Sequence, residues 1–452
     1  MLRDSSSLDT IVAPATPTGR SALALVRISG SDAVRILLAL APALSEPPPQ
    51  RRPTLVSLKD AAGETIDRGL ATLFAAPASS TGEDVVELSV HGSPAVVERL
   101  LTSAAEAGAR LARPGEFTER AFRSGKIDLL RAEAIRDLIE ARTPAAARLS
   151  ACRLEGALSR RLGGIREHLL AACAGLEAAI DFAEDVGERL DPAVEARLCA
   201  ALGELERLIS SYRTGRLLSV GCRVAILGRP NAGKSTLFNA LLGTGRAIVT
   251  EIPGTTRDAL EGSIDVRGIP VTLVDTAGLH SASDPVERLG VERAREEGRR
   301  ADAILYVFDA SLGWTDEDEA VWSHGDSPRA LVANKADRLP AGWSPTPSHA
   351  VPLCGLSEGA GAALRELLGR TIADGVKTEE TSEVLSTLRQ RDLVERARLA
   401  TRDARVALAE GLSPEYAVTH CHAALDALAG LVGETTSEDV LRELFATFCI
   451  GK

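Results

Sequence analysis

CRVAILGRPNAGKST, residues 222–236, runs from an apolar, β-rich segment through a glycine-bounded turn into the start of a helix. Gly228, Gly233, Lys234 and Ser235 stand at the G-x4-G-K-S/T spacing of a phosphate-binding loop, in the strand-to-helix context that motif requires. The glycines let backbone N–H groups wrap a phosphate, and the helix N-terminus that follows favours its negative charge. Lys234 is placed to reach the β- and γ-phosphates and Ser235 to hold Mg²⁺. An α/β nucleotide-binding block is therefore expected from about Arg223 to about Ala373, where strand, loop and helix patterns alternate.

The rest of a guanine-nucleotide site follows in order. GTTRD (254–258) offers Thr256 as the switch threonine that senses Mg²⁺ and the γ-phosphate. VTLVDTAG (271–278) ends a strand with Asp275, the Walker B carboxylate for the metal, and brings Gly278 to the γ-phosphate. ALVANKAD (330–337) supplies Asn334 and Lys335 to brace the base and loops, and Asp337 to accept both N–H groups of the guanine edge. Adenine presents the wrong pattern there. In full, the expected contacts are Asn231, Ala232, Gly233, Lys234, Ser235 and Thr236; Thr250, Glu251, Ile252, Pro253, Gly254, Thr255 and Thr256; Asp275, Thr276, Ala277 and Gly278; Asn334, Lys335 and Asp337; and Cys354, Gly355 and Leu356. The order resembles the translation-factor-related GTPases, with two departures. Cys354-Gly355 stands where a Ser-Ala pair usually closes the base pocket, leaving the Gly355 N–H for the base oxygen and no serine to brace the loop. Leu279 replaces the glutamine that orients water in Ras-like enzymes, so Glu287 becomes the candidate, against a plain reading as a solvated charge near Glu292 and Glu296. The carbonyl of Asn231 lies close enough to the phosphates for a bound monovalent cation to replace an arginine finger.

Outside this block the texture is different. Residues 22–29, 69–77 and 84–92 read as strands, 93–109 as a helix opened by Ser93 and Pro94, and 41–53 as a proline-rich loop. That suggests a small α+β domain over 1–123. From Leu129 apolar residues recur at three- and four-residue intervals, and the pattern returns near Leu388. The economical division is 1–123 α+β, 124–217 helical, 218–376 nucleotide-binding and 377–452 helical, with the α/β block inserted into one helical domain; four consecutive domains are the alternative. A net charge of −11 is unlike a dedicated nucleic-acid binder. Seven cysteines without a C-x-x-C pair point to reduced thiols and a cytoplasmic setting. No signal peptide or membrane span is expected.

Several blocks beyond the nucleotide motifs carry a closer likeness: DTIVAPATPTGRSALALVRISG (9–30), STGEDVVELSVHG (80–92), ARPGEFTERAFRSGKIDLLRAEAIRDLI (112–139), EIPGTTRD (251–258), SDPVERLG (283–290) and SEDVLRELFATFCIGK (437–452). Through them the chain resembles, over essentially its full length, the MnmE or TrmE family of tRNA uridine-5-carboxymethylaminomethyl modification GTPases. Ribosome-assembly GTPases share the nucleotide motifs but not these flanks; as the reading from another class, such a GTP-switched binding module is separated by testing for reduced-folate binding.

The resemblance implies an N-terminal tetrahydrofolate-binding and dimerisation domain, a discontinuous helical domain and an inserted P-loop GTPase domain. It implies a homodimer, a heterotetrameric complex with an FAD-dependent MnmG/GidA-family protein, and C5 modification of the wobble uridine of tRNA. The one-carbon donor would be 5-formyl- or methylene-tetrahydrofolate, with GTP hydrolysed to GDP, stimulated by potassium and by G-domain dimerisation. Folate contacts carry over to Arg27, Glu87, Lys126 and Lys452, although Arg27 and Lys126 by themselves read as surface cations. Mg²⁺ falls to Ser235 and Thr256, and K⁺ to Asn231, Thr250, Ile252 and Thr255. Glu287 matches the water-orienting glutamate. Cys449 is a candidate modification centre or a small buried packing residue. Val440, Leu441, Leu444, Phe445 and Phe448 are spaced to dock one helix face on the helical domain, with Ile450 as a further apolar anchor.

Overall fold

The computed structural model describes residues 9–181, 191–243, 260–275, 296–323, 327–340, 343–372 and 382–452. They form two compact units, residues 1–136 with 429–452, and residues 137–428.

In the first unit six strands make one sheet in the order β3-β4-β5-β2-β1-β6. They are β1 (Ile11–Pro14), β2 (Ser21–Ser29), β3 (Thr54–Lys59), β4 (Thr65–Phe74), β5 (Val85–Gly92) and β6 (Arg110–Leu111). Helices α1 (Ala33–Leu40) and α2 (Pro94–Glu106) bury one face of that sheet, meeting Val26, Ile28, Val56, Leu88 and Val90. Alternation along β2 sends Ala24, Val26 and Ile28 into this core and Leu23, Leu25 and Arg27 to the other side. The strands expected at 22–29, 69–77 and 84–92 are β2, β4 and β5. Ser93 sits at the N-cap of α2 with Pro94 in the first turn, but its side chain makes no capping bond.

Helix α3 (Glu116–Arg123) brings Phe117 against Ile11 and Ala13, on the side of β1 opposite Val12. With both faces covered, β1 is buried throughout Ile11–Ala13. Helix α4 (Leu129–Glu140) begins in this unit, and α13 (Glu438–Ala446) closes it. Leu441, Phe445 and Phe448 pack with Phe122, Leu129 and Ala132. The docking partner is thus α3 together with the start of α4, and not the helical domain alone. Val440 and Ile450 remain exposed, so neither anchors the tail.

The second unit holds the other sheet, ordered β12-β11-β10-β7-β9-β8. Its strands are β7 (Cys222–Leu227), β8 (Leu260–Val266), β9 (Ile269–Asp275), β10 (Ala303–Asp309), β11 (Arg329–Asn334) and β12 (Val351–Pro352). All pairings are parallel except β8 with β9. Central strands covered on both faces read as continuous apolar runs, and β10 is buried from Ala303 to Asp309. Around the sheet lie α8 (Lys234–Gly243), α9 (Asp316–Trp322) and α10 (Ala360–Ile372).

The other helices described in this unit are α5 (Pro144–Leu154), α6 (Ala157–Asp181), α7 (Pro192–Ser219), α11 (Leu388–Ala409) and α12 (Pro414–Val432), the last extending past its boundary. Helices α6 and α11 pack on α7, which leads directly into β7. Where the chain returns, Leu385 N donates to Ser211 Oγ of α7 (3.3 Å) and buried Arg153 of α5 donates to Ser386 Oγ (2.7 Å). Exit from and return to the helices therefore meet beside the same helix, α7.

Candidate functional sites

Strand β7 lies between β10 and β9, and the loop after it leaves the carboxyl end of the sheet, where open α/β sheets collect their ligands. Gly228 has φ +144°, and a Cβ there would lie 1.9 Å from the Val307 carbonyl oxygen. Only glycine lets the loop pass β10 this closely. Lys234 is buried, and its Nζ donates to the carbonyls of Gly228 (2.8 Å) and Arg229 (2.9 Å). Burial lowers its amine pKa from the ordinary lysine range, with Asp275 pulling the other way. The ammonium is thereby held inside the loop, as a phosphate-reaching lysine requires.

Ser235 Oγ donates to Asp275 Oδ2 at 2.8 Å. These two oxygen donors, one from α8 and one from the end of β9, are the hard ligands that Mg²⁺ prefers. Asn231 is exposed in the left-handed region at φ +61°. Thr250 through Thr256, Thr276, Ala277, Gly278 and Glu287 lie outside the described residues, as does Leu279.

On the base side, Asn334 is buried, with Nδ2 donating to Ala232 O (2.8 Å) and Oδ1 accepting from Gly355 N (3.0 Å). The Gly355 amide expected at the base oxygen is thus given to Asn334. The loop also has a brace where none was expected, since Ser357 Oγ donates to Cys354 O (2.7 Å). Lys335 Nζ donates to Asn231 O and Asp309 Oδ2, both at 2.7 Å. Burial pushes the Asp309 carboxyl up, but Lys335 and Ser311 outweigh it and hold it below the usual range. Asp337 is exposed on a short 3₁₀ turn, and Leu356 is also exposed. Sequence reasoning missed Asp309; its signal was an apolar strand ending in a carboxylate, LYVFD at 305–309.

The first unit gathers the other candidates. Arg27 and Glu87 are direct cross-strand neighbours on β2 and β5, and Arg27 donates from Nε (3.0 Å) and Nη2 (2.7 Å) to Glu87 Oε1. The guanidinium also lies 5.7 Å from the Phe117 ring centroid and reaches Gly451 O at 3.4 Å. Lys452 is half-buried beside that contact in sequence, while Cys449 is exposed and so is not the buried packing residue considered above. Lys126 Nζ donates to Pro77 O at 2.8 Å. Missed altogether was the ionic cluster behind α3. Glu116, 1% exposed, accepts from Arg110, Arg120 and the Arg113 amide. Burial alone would raise its pKa; these donors hold it down at about 2. Arg120 also bridges Asp9 and Glu83, beside a cavity of about 260 Å³ lined in part by Thr81, Glu83 and Ser124.

A P-loop with its lysine enclosed, a serine bonded to the carboxylate that ends β9 and an Asn-Lys-x-Asp loop on a mainly parallel sheet define a guanine-nucleotide-binding GTPase. The chain's relatives narrow this. A model described as the MnmE helical domain matches residues 129–449, and one described as the GTP-binding protein TrmE N-terminus matches residues 10–126. The chain belongs to the MnmE family of tRNA modification GTPases. It is 42% identical over 469 residues to the tRNA modification GTPase MnmE of Roseiflexus sp. (strain RS-1), covering 98% of this chain and 99% of that protein. It is 42% identical over 456 residues to MnmE of Symbiobacterium thermophilum, with 98% and 99% covered. For MnmE of Aquifex aeolicus the identity is 39% over 449 residues, with 98% and 100% covered.

Proposed function

We propose that this chain is the GTP-hydrolysing component of a complex that modifies C5 of the tRNA wobble uridine, forming carboxymethylaminomethyl- or aminomethyl-uridine. The observation that carries the reading is the conjunction, in one chain matching MnmE relatives over 98% of its length, of a guanine-nucleotide site with a second polar site around Arg27 and Glu87.

At the first site Lys234 meets the β- and γ-phosphates, while Ser235, Thr256 and Asp275 hold Mg²⁺. Asn231, Thr250, Ile252 and Thr255 form a K⁺ cage, whose ion would neutralise charge developing between the β- and γ-phosphates. Glu287 orients water, and Asn334, Lys335 and Asp337 select guanine. The cage is completed when two G domains meet.

At the second site Glu87 accepts from the pterin edge, and Arg27, Lys126 and Lys452 attract the glutamyl tail of a reduced folate, which supplies the one-carbon unit. Cys449, exposed beside Gly451, is the candidate modification centre. The partner is an FAD-dependent MnmG/GidA-family protein in a heterotetrameric complex, and it carries much of the tRNA contact for this acidic chain. A homodimer through the N-terminal units is supported by Leu55 and Leu70, which are cross-strand neighbours and 61% and 42% exposed. Seven cysteines without a C-x-x-C pair support a cytoplasmic setting for the complex. Among the described residues no helix is long and apolar enough to cross a membrane.

The test is reconstitution with the flavoprotein, GTP, reduced folate, glycine or ammonium, and tRNA, followed by mass spectrometry of the nucleosides. Modified uridine that requires both proteins and GTP is the expected result. GTP hydrolysis with no modified uridine would leave a GTP-switched binding module.

A further inference from the structure

We propose that Arg229 is a positioning residue for the phosphate cradle and acts through Asp318. The inference rests on the nucleotide-site reading above and extends it to a pair of residues outside the motif positions.

Arg229 directly follows Gly228 in the loop. Its guanidinium donates from Nε to Asp318 Oδ1 (3.1 Å) and from Nη2 to Gly313 O (3.0 Å), and Nη2 lies 3.1 Å from Asp318 Oδ2. The carboxylate of Asp318 is fully buried. It cannot swing, because its remaining acceptor positions are taken by fixed donors. Thr315 gives both its amide (3.0 Å) and its hydroxyl (2.8 Å) to Oδ2, in the capping box that starts α9. Tyr306, on central strand β10, gives its hydroxyl to Oδ1 at 2.9 Å. One carboxylate thus fastens the loop to a helix start and to the sheet.

Arg229's own carbonyl meanwhile accepts from Lys234 Nζ. The residue that is tied to the buried anchor by its side chain is tied to the phosphate-reaching lysine by its backbone. A surface ion pair would have little leverage on the loop. Here the carboxylate is buried and fully engaged, so removing the guanidinium leaves an uncompensated charge and a loop free to leave its binding shape.

A positioning role for the β-phosphate cradle is separated from general loosening by comparing GDP with GMP, which lacks that phosphate. Affinities of the full-length chain for both are measured by calorimetry in wild type, Arg229→Ala, Asp318→Asn and the double variant. Expected is a roughly tenfold loss for GDP in Arg229→Ala with less than about a twofold loss for GMP. Asp318→Asn should move in the same direction, and the double variant should be no worse than Arg229→Ala. Equal losses for GDP and GMP, an unchanged GDP affinity, or additive losses would overturn the proposal. If Arg229→Ala does not fold, the isosteric Asp318→Asn decides alone: a GDP-selective loss supports the proposal and none sinks it. Wild type that binds no GDP would overturn the nucleotide-site reading itself; wild type that binds GDP as the variants do sinks only the role of Arg229.

Discussion

Replacing Gly451 with alanine tests whether the tail completes the Arg27–Glu87 site. Gly451 is buried at φ +89°, and an added Cβ would lie 2.0 Å from the Pro14 carbonyl oxygen and 3.2 Å from the Ala15 Cα. Both neighbours are backbone, so no flexible side-chain tip can yield. Reaching an ordinary contact distance requires a shift of roughly 1.5 Å, and the left-handed conformation adds about 1 kcal/mol for a residue with a Cβ. Against this, the Arg27 bond to Gly451 O is long at 3.4 Å, and Ile450 is 56% exposed. Such a bond returns about 1 kcal/mol at most. A net penalty of about 2 kcal/mol shifts docked against undocked tail by roughly thirtyfold. Phe448 stays buried upstream, so the unit itself should melt within a degree or two of wild type. Hydrogen exchange across 449–452 reads the undocking, and titration with 5-formyl-tetrahydrofolate reads its consequence, an affinity loss on the order of tenfold. Faster exchange with unchanged folate affinity would refute the tail's part in the site; unchanged exchange would refute the packing argument.

Asp337→Asn should move nucleotide preference from guanine towards xanthine, whose oxygen replaces the N2 amino group; competition binding with GDP and XDP checks this, and retained guanine preference would exclude Asp337 from the base edge. Glu287→Ala should lower kcat for GTP at least tenfold while GTP affinity stays within about threefold, the pattern of a lost transition-state contact, measured by single-turnover hydrolysis; a normal rate places water orientation elsewhere. Glu116, held at about 2 against an unfolded 4.5, stabilises the fold fully above pH 4.5 and progressively less as pH falls through 2. The difference corresponds to about 3 kcal/mol, so the stability gap between wild type and Glu116→Gln in denaturant melts should narrow steadily between pH 5 and pH 2. A gap independent of pH would mean that the Glu116 charge does not supply it.

The nucleotide site was legible where its chemistry is local. Gly228 to Ser235 run without a break from the end of β7 into α8, and Asn334, Lys335 and Asp337 run from the end of β11 into a 3₁₀ turn, so spacing alone suggests their roles. What spacing cannot convey is the partner across the sheet. Asp309 reaches Lys335 from a neighbouring strand, and Asp318 reaches Arg229 over 89 positions. Neither carboxylate belongs to a motif, and each reads as an ordinary charge until the strands assemble. The Gly355 amide was assigned to the base because its competitor, the Asn334 side chain, lies 21 residues away. In the first unit β2 and β5 announced themselves by alternation, but β1 did not. It is four residues long and buried on both faces, which erases the two-residue period. The tail's apolar spacing marked Leu441, Phe445 and Phe448 as buried but also Val440, which is exposed, and the expected helical segment supplies only Leu129 and Ala132 of the surface opposite, with Phe122 coming from α3. Helical periodicity identifies a sticky face without naming the surface opposite.

The seating of residues 438–448 on Phe122, Leu129 and Ala132 also has a meaning in time. The first unit draws on both ends of its own sequence, and all of residues 137–428 must be translated between them. At about 5–20 residues per second that interval lasts roughly 15–60 s. Throughout it the growing chain carries an unpaired apolar surface on α3 and α4, although its six strands are already available to pair. Maturation of the first unit is therefore timed by synthesis of the nucleotide-binding unit, and its N-terminal part is a natural client for chaperones during that wait. A fragment ending near residue 136 would remain in that unfinished state indefinitely, prone to self-association until a peptide spanning 429–452 is supplied to it.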